Sequence, residues 1–385
     1  MLNMPQSVKY ISEDEAQRRM YQVRSYAWWE KPARERGEAY TAKIAQGGLP
    51  TFHSPFIIAS LIMQRLVRGV EENLGVETRR ATVDRSLYKA GYSAVKGIMK
   101  MWNLENKKLD CRDVARVFQY HDESLYGLRE KITEYKPDDV RLDVVFCPLQ
   151  VANTARDCEI WNAAPMGEFD ALIPDLQWGL GGEKILSNGG NSCQFHAWLG
   201  QLRDEGYPAT MQLERKVKYA DDLYDPHFLD KLAWSGPASF FKPFQVVEQV
   251  ILDMRKRLEN LGDGGVSVFK EILYREASLA SRDLVDRRKI NSMDCRGMAQ
   301  ITLVNDELMG YQEKVVKSEP KEALVHITFC PLQPGFSADD CERACLALVL
   351  KDGLTAGINP TIKWRLNGKT IDAGGQVCPL RFWIE

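Results

Sequence analysis

The side chains in this sequence best suited to chemistry are thiols, carboxylates and imidazoles set at matched places along the chain. Cys147 ends an apolar run and is followed by Pro148. Asp170 follows downstream, and Cys193 and His196 stand close together further on. A Cys ending a strand, an Asp on the next helix and a Cys on a terminal hairpin can converge on one site. A thiolate there needs a base or a positive charge beside it to be nucleophilic at neutral pH. A carboxylate can instead activate water. Each Cys also has a plainer reading, as a small buried hydrophobe after a β run. A metal site from Cys147, Cys158, Cys193 and His196 is conceivable, but its spacing fits no standard zinc pattern. Resident metal is therefore not expected, and no cofactor is implied.

Familiar motifs are absent. The chain has no His-Glu-x-x-His, no Gly-x-Ser-x-Gly, no Cys-x-x-Cys and no Gly-x-Gly-x-x-Gly. Asn367-Gly368-Lys369-Thr370 echoes the end of a phosphate-binding loop, yet it lacks the upstream Gly and sits in an expected hairpin.

These residues are positioned by a duplication. FCPLQ occurs at 146–150 and again at 329–333. Around it, CRDVARVFQYHDESLYG from Cys111 pairs with CRGMAQITLVNDELMG from Cys295, and ARDCE from Ala155 pairs with ADDCE from Ala338. AKIAQGGLPTFHSPF from Ala42 pairs with DKLAWSGPASFFKPF from Asp230, and GGNSCQFHAW from Gly189 with GGQVCPLRFW from Gly374. The offset drifts between 188 and 183 residues, so a few short indels separate two domain-sized copies. The expected organisation is an N-terminal helical arm (1–39), a first copy (40–200), a connector (201–227) and a second copy (228–385).

Comparing the copies divides the polar residues into two sets. Cys147/Cys330, Asp157/Asp340, Cys158/Cys341, Asp170/Asp352 and Cys193/Cys378 recur. The histidines do not: His53, His121 and His196 face Phe241, Asn305 and Arg381 in the second copy. Histidine suits proton transfer near pH 7. The first copy is therefore expected to hold the chemistry, with the second as a structural or site-closing partner. Surface placement or a satisfied core hydrogen bond is the alternative for each His. His121-Asp122-Glu123 is a further candidate beside His196.

Composition sets the outer bounds. The chain has 385 residues, 51 Lys+Arg against 53 Asp+Glu, 44% hydrophobic residues and nine Cys. Near-neutral charge argues against nucleic-acid binding through bulk charge. No apolar run is long enough for a membrane span, and the start lacks a secretory pattern. Free thiols suit a reducing compartment, so a cytoplasmic protein acting on a small molecule, with homodimerisation possible, is expected.

Within each copy, helices come first and strands later. IIASLIMQRLVRGVEENLG has helical spacing and stops at Gly75, and SLYKAGYSAVKGIMKMWN reads as a second helix. RLDVVFCP and ALVHITFCP read as strands. EKILSNGGNSCQFHAWL reads as a hairpin about Asn188-Gly189-Gly190, and TIKWRLNGKTIDAGGQVCPLRFWIE as a hairpin or small meander. The expected class is α+β: two homologous domains in tandem, each of helices on a small antiparallel sheet, related by a pseudo-two-fold.

From the strand to the end of each copy, the sequence resembles the L-2-amino-thiazoline-4-carboxylic acid hydrolase family. The second copy carries the resemblance in Cys330-Pro331, Asp352, Gly357-Ile358-Asn359-Pro360, Lys363, Gly374-Gly375, Cys378 and Phe382. The first keeps Cys147-Pro148, Asp170, Gly189-Gly190, Cys193 and Phe195, but reads Asp175-Leu176-Gln177-Trp178 in place of Gly-Ile-Asn-Pro. The resemblance implies a hydrolase that opens a small heterocycle or cleaves a non-peptide C–N bond. It implies Cys147 or Cys193 as nucleophile, Asp170 as base or orienter and His196 as proton donor. Arg156 or Lys184 would hold an anionic substrate group, and His53 and His121 are further substrate-side candidates. A lyase, cyclase or isomerase using the same residues, and a non-catalytic ligand-binding module, remain as other readings.

Overall fold

The computed structural model describes residues 54–151, 158, 160–174, 176–181, 185–186, 190–200, 224–333 and 335–385. The arm at 1–39, most of the connector, and the candidates His53, Arg156 and Lys184 lie outside these residues. The fold is α+β, with two four-stranded antiparallel sheets.

The first copy begins with α1 (Ser54–Leu74), α2 (Arg85–Met101) and α3 (Cys111–His121). Strands β1 (Arg129–Tyr135) and β2 (Asp139–Phe146) follow, then α4 (Ala163–Leu172), β3 (Gln177–Gly181) and β4 (Cys193–Trp198). The second copy repeats the order as α5 (Lys242–Glu259), α6 (Asp263–Arg288), α7 (Cys295–Leu308), β5 (Gln312–Ser318) and β6 (Glu322–Phe329). It ends with α8 (Ala338–Ala344), α9 (Lys351–Ile358), β7 (Lys363–Leu366) and β8 (Cys378–Trp383).

Local chemistry fixes the helix that later carries the site. Asp110 precedes α3 and accepts from the Arg112 amide at 2.9 Å, while Asp113 accepts from the Asp110 amide at 3.1 Å. This reciprocal cap satisfies amides that the first helical turn leaves unpaired. Val114, Val117, Phe118 and His121 then recur at helical spacing and are all buried. In α7 Asp294 makes one half of this cap, accepting from the Arg296 amide at 2.9 Å, and Gly297 has no side chain to make the other. The helices differ at their ends. Beyond His121 the chain continues as a π-helical turn, Asp122–Tyr126, closed by Gly127 in the left-handed region (φ 69°). Such turns insert an extra residue and often mark functional positions.

The sheets share one topology. The strand orders are β1-β2-β4-β3 and β5-β6-β8-β7. Even their irregularities match: register shifts fall at Arg129/Glu130 and Ile132/Glu134 in β1, and at Gln312/Glu313 and Val315/Lys317 in β5. The hairpin expected in the second copy is present as β7 and β8. In the first copy β4 pairs instead with Gln177–Gly181. That strand lies upstream of the expected Ile185-Leu186 segment, and neither of those two residues is in a strand.

Aromatic packing binds helices to sheet in the first copy. Phe118 stacks on Phe169 at 4.9 Å and meets Phe195 at 5.1 Å, and Phe169 meets Trp178 at 5.0 Å. Helices α2 and α4 approach closely because Gly91 lies against the Ala164 carbonyl and Gly167 against the Tyr88 carbonyl. In the second copy Gly353 of α9 lies against the Tyr274 carbonyl of α6, and the Ser281 hydroxyl donates to Leu354 O at 2.9 Å.

The described chain forms two compact units that do not follow the copy boundaries. One takes in residues from 70 to 231 together with 249–257; the other takes in 54–69, 232–248 and 258–385. In the first, Asp253 from α5 is held by the Ser86 hydroxyl (2.8 Å), Lys89 (2.9 Å) and Arg257 (2.6 Å). In the second, Gly69 of α1 lies against Ile272 of α6. Among the described residues no helix is long and apolar enough to cross a membrane.

Candidate functional site

The structure spreads the sequence candidates over several places. Cys147, at the end of β2, neighbours Cys158 and Cys193. Burial, followed by those two thiols, pushes the Cys147 thiol well up. Burial pushes Cys193 up to about 11, although its sulfur accepts from the Leu186 amide at 3.3 Å. No cation is among the groups perturbing either thiol, so both are protonated and weakly nucleophilic near pH 7. In the second copy the Ile371 amide donates to Cys378 Sγ at 3.2 Å. The thiol at this position therefore has one backbone role in both sheets.

His196 is drawn away from these thiols. It stands three positions after Cys193 on β4, so the two side chains leave opposite faces of the strand. Its Nε2 lies 2.9 Å from Asp139 Oδ1 on β2, and its ring packs on Trp198 at 4.6 Å. In the second sheet Arg381 Nε donates to Glu322 Oε1 at 2.7 Å. His196/Asp139 and Arg381/Glu322 are thus the same cross-strand link in different chemistry.

Asp170 accepts from the Tyr88 hydroxyl at 2.7 Å, and burial raises its carboxyl despite that bond. It is the eighth residue of α4, whereas Asp352 is the second residue of α9 and accepts from Trp364 Nε1 at 2.6 Å. The two aspartates occupy different places in their helices.

His121 is the candidate around which other groups gather. It is fully buried at the C-terminal end of α3. Its Nδ1 lies 2.8 Å from Asp122 Oδ1 and 3.6 Å from Glu168 Oε2. One ligand atom from each of His121, Asp122 and Glu168 lies within 4.8 Å of the others. Glu130, second in β1, is a charge neighbour of both Asp122 and Glu168, and Tyr126 sets its ring edge-on to His121 at 5.2 Å. Four elements supply the centre: the end of α3, its π-helical turn, the bulged start of β1, and α4.

The electrostatics are unusual. Burial, reinforced by Asp122, pushes the Glu168 carboxyl up to about 8, against the opposing pull of His121. Burial raises Glu130 well above the carboxylate range, with Asp122, Glu123 and Glu168 adding to it. Burial alone would lower His121, but Glu168 and Asp122 outweigh it and raise the imidazole. Two like charges 4 Å apart repel by about 4 kcal/mol at an effective dielectric constant of about 20. Three adjacent carboxylates therefore cannot all stay ionised beside one imidazole. Among the described residues, the leading influences on His121, Glu130 and Glu168 are burial, one another, Asp122 and Glu123, with no Lys or Arg among them. Among the described residues, Glu168 Oε2, His121 Nε2 and Ser124 Oγ are buried and meet no hydrogen-bond partner, and the buried Glu130 has another acid, Asp122, as its hydrogen-bonding neighbour.

The second copy resolves the same problem with a lysine. Asn305 stands where His121 does, Asp306 matches Asp122, and Glu313 matches Glu130 at the equivalent bulge. Lys351, fully buried, donates from Nζ to both Asp306 oxygens at 2.7 Å, and Asn305 Nδ2 donates to Asp306 at 2.9 Å. Lys351 is the first residue of α9 and Glu168 the sixth of α4, so they are not aligned positions, whereas Gly353 matches Gly167, each against a tyrosine carbonyl. The lysine and the glutamate reach their aspartates from different turns of corresponding helices. Glu130 and Glu168 were not among the sequence candidates. The readable signal was the place of His121 on the buried stripe of α3.

The chain matches no protein-family model, no curated protein and no solved structure.

Proposed function

We propose that the chain is an enzyme, a hydrolase that opens a small heterocycle or cleaves a non-peptide C–N bond. In this reading the chemistry resides at His121, Asp122, Glu130 and Glu168 of the first copy. The observation that carries it is their convergence in one buried place, where the second copy has Asn305 at the position of His121 and a lysine, Lys351, on its aspartate. Acid–base groups displaced from their usual pKa ranges mark functional sites more often than structural ones. A water molecule held among the carboxylates would lose its proton to Glu130 and form a bond to the ring carbon. The carbon–nitrogen bond would then break, and Glu130 would pass the same proton to the departing nitrogen. The thiols and His196 would take no part in bond making. The second copy would be the structural descendant of a fused, pseudo-two-fold duplication, which the shared strand order and register support. The nine cysteines, none in a disulfide, favour a cytoplasmic setting.

The test is turnover of a panel of cyclic amidines, thiazolines and small amides by the full chain. Glu130→Gln and Glu168→Gln should each lower kcat/KM at least about a hundredfold, the scale of a lost acid–base group. Cys147→Ala and Cys193→Ala should stay within a few-fold of wild type. Loss of activity in the Cys variants with retention in the Glu variants would overturn the assignment.

A further inference from the structure

We infer that His121, Asp122 and Glu168 form a binding site for one divalent transition-metal cation, with Glu130 beside it. This deepens the proposed function and rests on the same centre, but three observations carry it apart from any activity. The first is geometric. Two ligands on opposite sides of a cation at about 2.1 Å each are about 4.2 Å apart. The three ligand atoms lie within 4.8 Å of one another, so small side-chain shifts would bring all three to one ion, with water free to fill the remaining positions. His121 Nδ1 is the nitrogen that faces both carboxylates, at 2.8 and 3.6 Å.

The second observation is unmet demand. Glu168 is 2% exposed, and among the described residues its Oε2 meets no hydrogen-bond partner; Glu130, 8% exposed, has another acid, Asp122, as its hydrogen-bonding neighbour. Buried polar atoms normally have partners, and buried carboxylates need a compensating positive charge. The third is the second copy, where that charge is covalently supplied. The Lys351 ammonium bridges both oxygens of Asp306 beside Asn305 and Glu313. In the first copy an imidazole stands in place of the asparagine, and the group from α4 that reaches this place is the carboxylate of Glu168 rather than an ammonium. The first difference adds a metal ligand, and the second sets the aspartate beside another acid. One imidazole with carboxylates suits Mn²⁺, Fe²⁺ or Zn²⁺ better than Ca²⁺, which takes oxygen ligands, or Cu⁺, which takes sulfur.

Mn²⁺ is the probe of choice because it has little affinity for the thiols elsewhere in the chain. Chelator-stripped full-length protein would be titrated with MnCl₂, with bound metal read by electron paramagnetic resonance and by calorimetry. The expected result is one saturable site per chain. Glu168→Gln and His121→Asn should weaken binding at least tenfold with circular dichroism unchanged, whereas Cys193→Ala should leave it intact. If His121→Asn fails to fold, the near-isosteric Glu168→Gln decides. No saturable binding by the wild type, or undiminished binding by a folded Glu168→Gln, would overturn the inference. Failure to bind Mn²⁺ with hydrolysis still dependent on Glu130 would refute the metal and leave the hydrolase. Tight Mn²⁺ binding with no turnover of any substrate would do the reverse.

Discussion

Lys351→Met tests the contrast between the two copies directly, because it removes the cation from the one centre that has its own. The ammonium makes two charge-assisted hydrogen bonds of 2.7 Å to Asp306, and both side chains are 0% exposed. Removing one partner of a buried ion pair leaves an uncompensated charge, at a cost of about 3–5 kcal/mol. For a chain of this size each kcal/mol lowers Tm by about 2–4 °C, so a fall of roughly 6–20 °C is expected. The assay is thermal and urea denaturation followed by circular dichroism. The double variant Lys351→Met/Asp306→Leu should recover most of the loss, since neither charge then remains. A single-variant cost below about 1 kcal/mol, or strictly additive costs in the double variant, would show that the pair does not neutralise the centre. The reasoning from Lys351 to the first copy would then fail with it.

Three further outcomes follow from the packing and the charges. Gly167→Ala and Gly353→Ala each set a methyl against a tyrosine carbonyl on the facing helix, and each should cost about 1–3 kcal/mol in urea midpoint analysis. Burial alone would raise Asp253, but Arg257, Lys89 and the Ser86 hydroxyl outweigh it and hold its carboxyl below the usual range. That stabilisation is fully present above the unfolded value of about 3.9 and is lost as pH falls through the lower folded value. Asp253→Asn should therefore flatten the acid limb of a stability–pH curve below about pH 4 and lower stability near neutrality. With Cys193 pushed up to about 11 and Cys147 higher still, alkylation by iodoacetamide at pH 7 should be much slower than for a free thiol. Peptide mass spectrometry over a pH series checks this, and rapid labelling of Cys147 at pH 7 would restore it as a nucleophile.

The repeated segments made the α+β class legible, because collinear matches on both sides of FCPLQ demand the same order of elements twice. β2 and β6 were readable as apolar runs ended by Cys-Pro. β1 and β5 were not: their sequences, REKITEY and QEKVVKS, carry mostly charged and polar side chains on half-exposed strands. Propensity gives such strands little signal, and only their ladders to β2 and β6 define them. The partner of β4 was displaced in the sequence reading for a related reason. Asn188-Gly189-Gly190 looks like a tight turn, but strand pairing brings Gln177–Gly181 alongside.

The sequence by itself showed paired segments along two stretches of the chain, set His53, His121 and His196 opposite residues that are not histidine, and placed His121 next to an acid. Helical spacing alone puts His121 on the buried stripe of α3. Only the tertiary structure decided which acids join it. Glu130 and Glu168 come from a bulged strand and a distant helix, and no local pattern encodes their approach. It likewise parted His196 from Cys193, because odd spacing on a strand sends neighbours to opposite faces. The contrast between Glu168 beside Asp122 and Lys351 beside Asp306 also needed three dimensions, since it matters only where burial withholds water as the alternative partner.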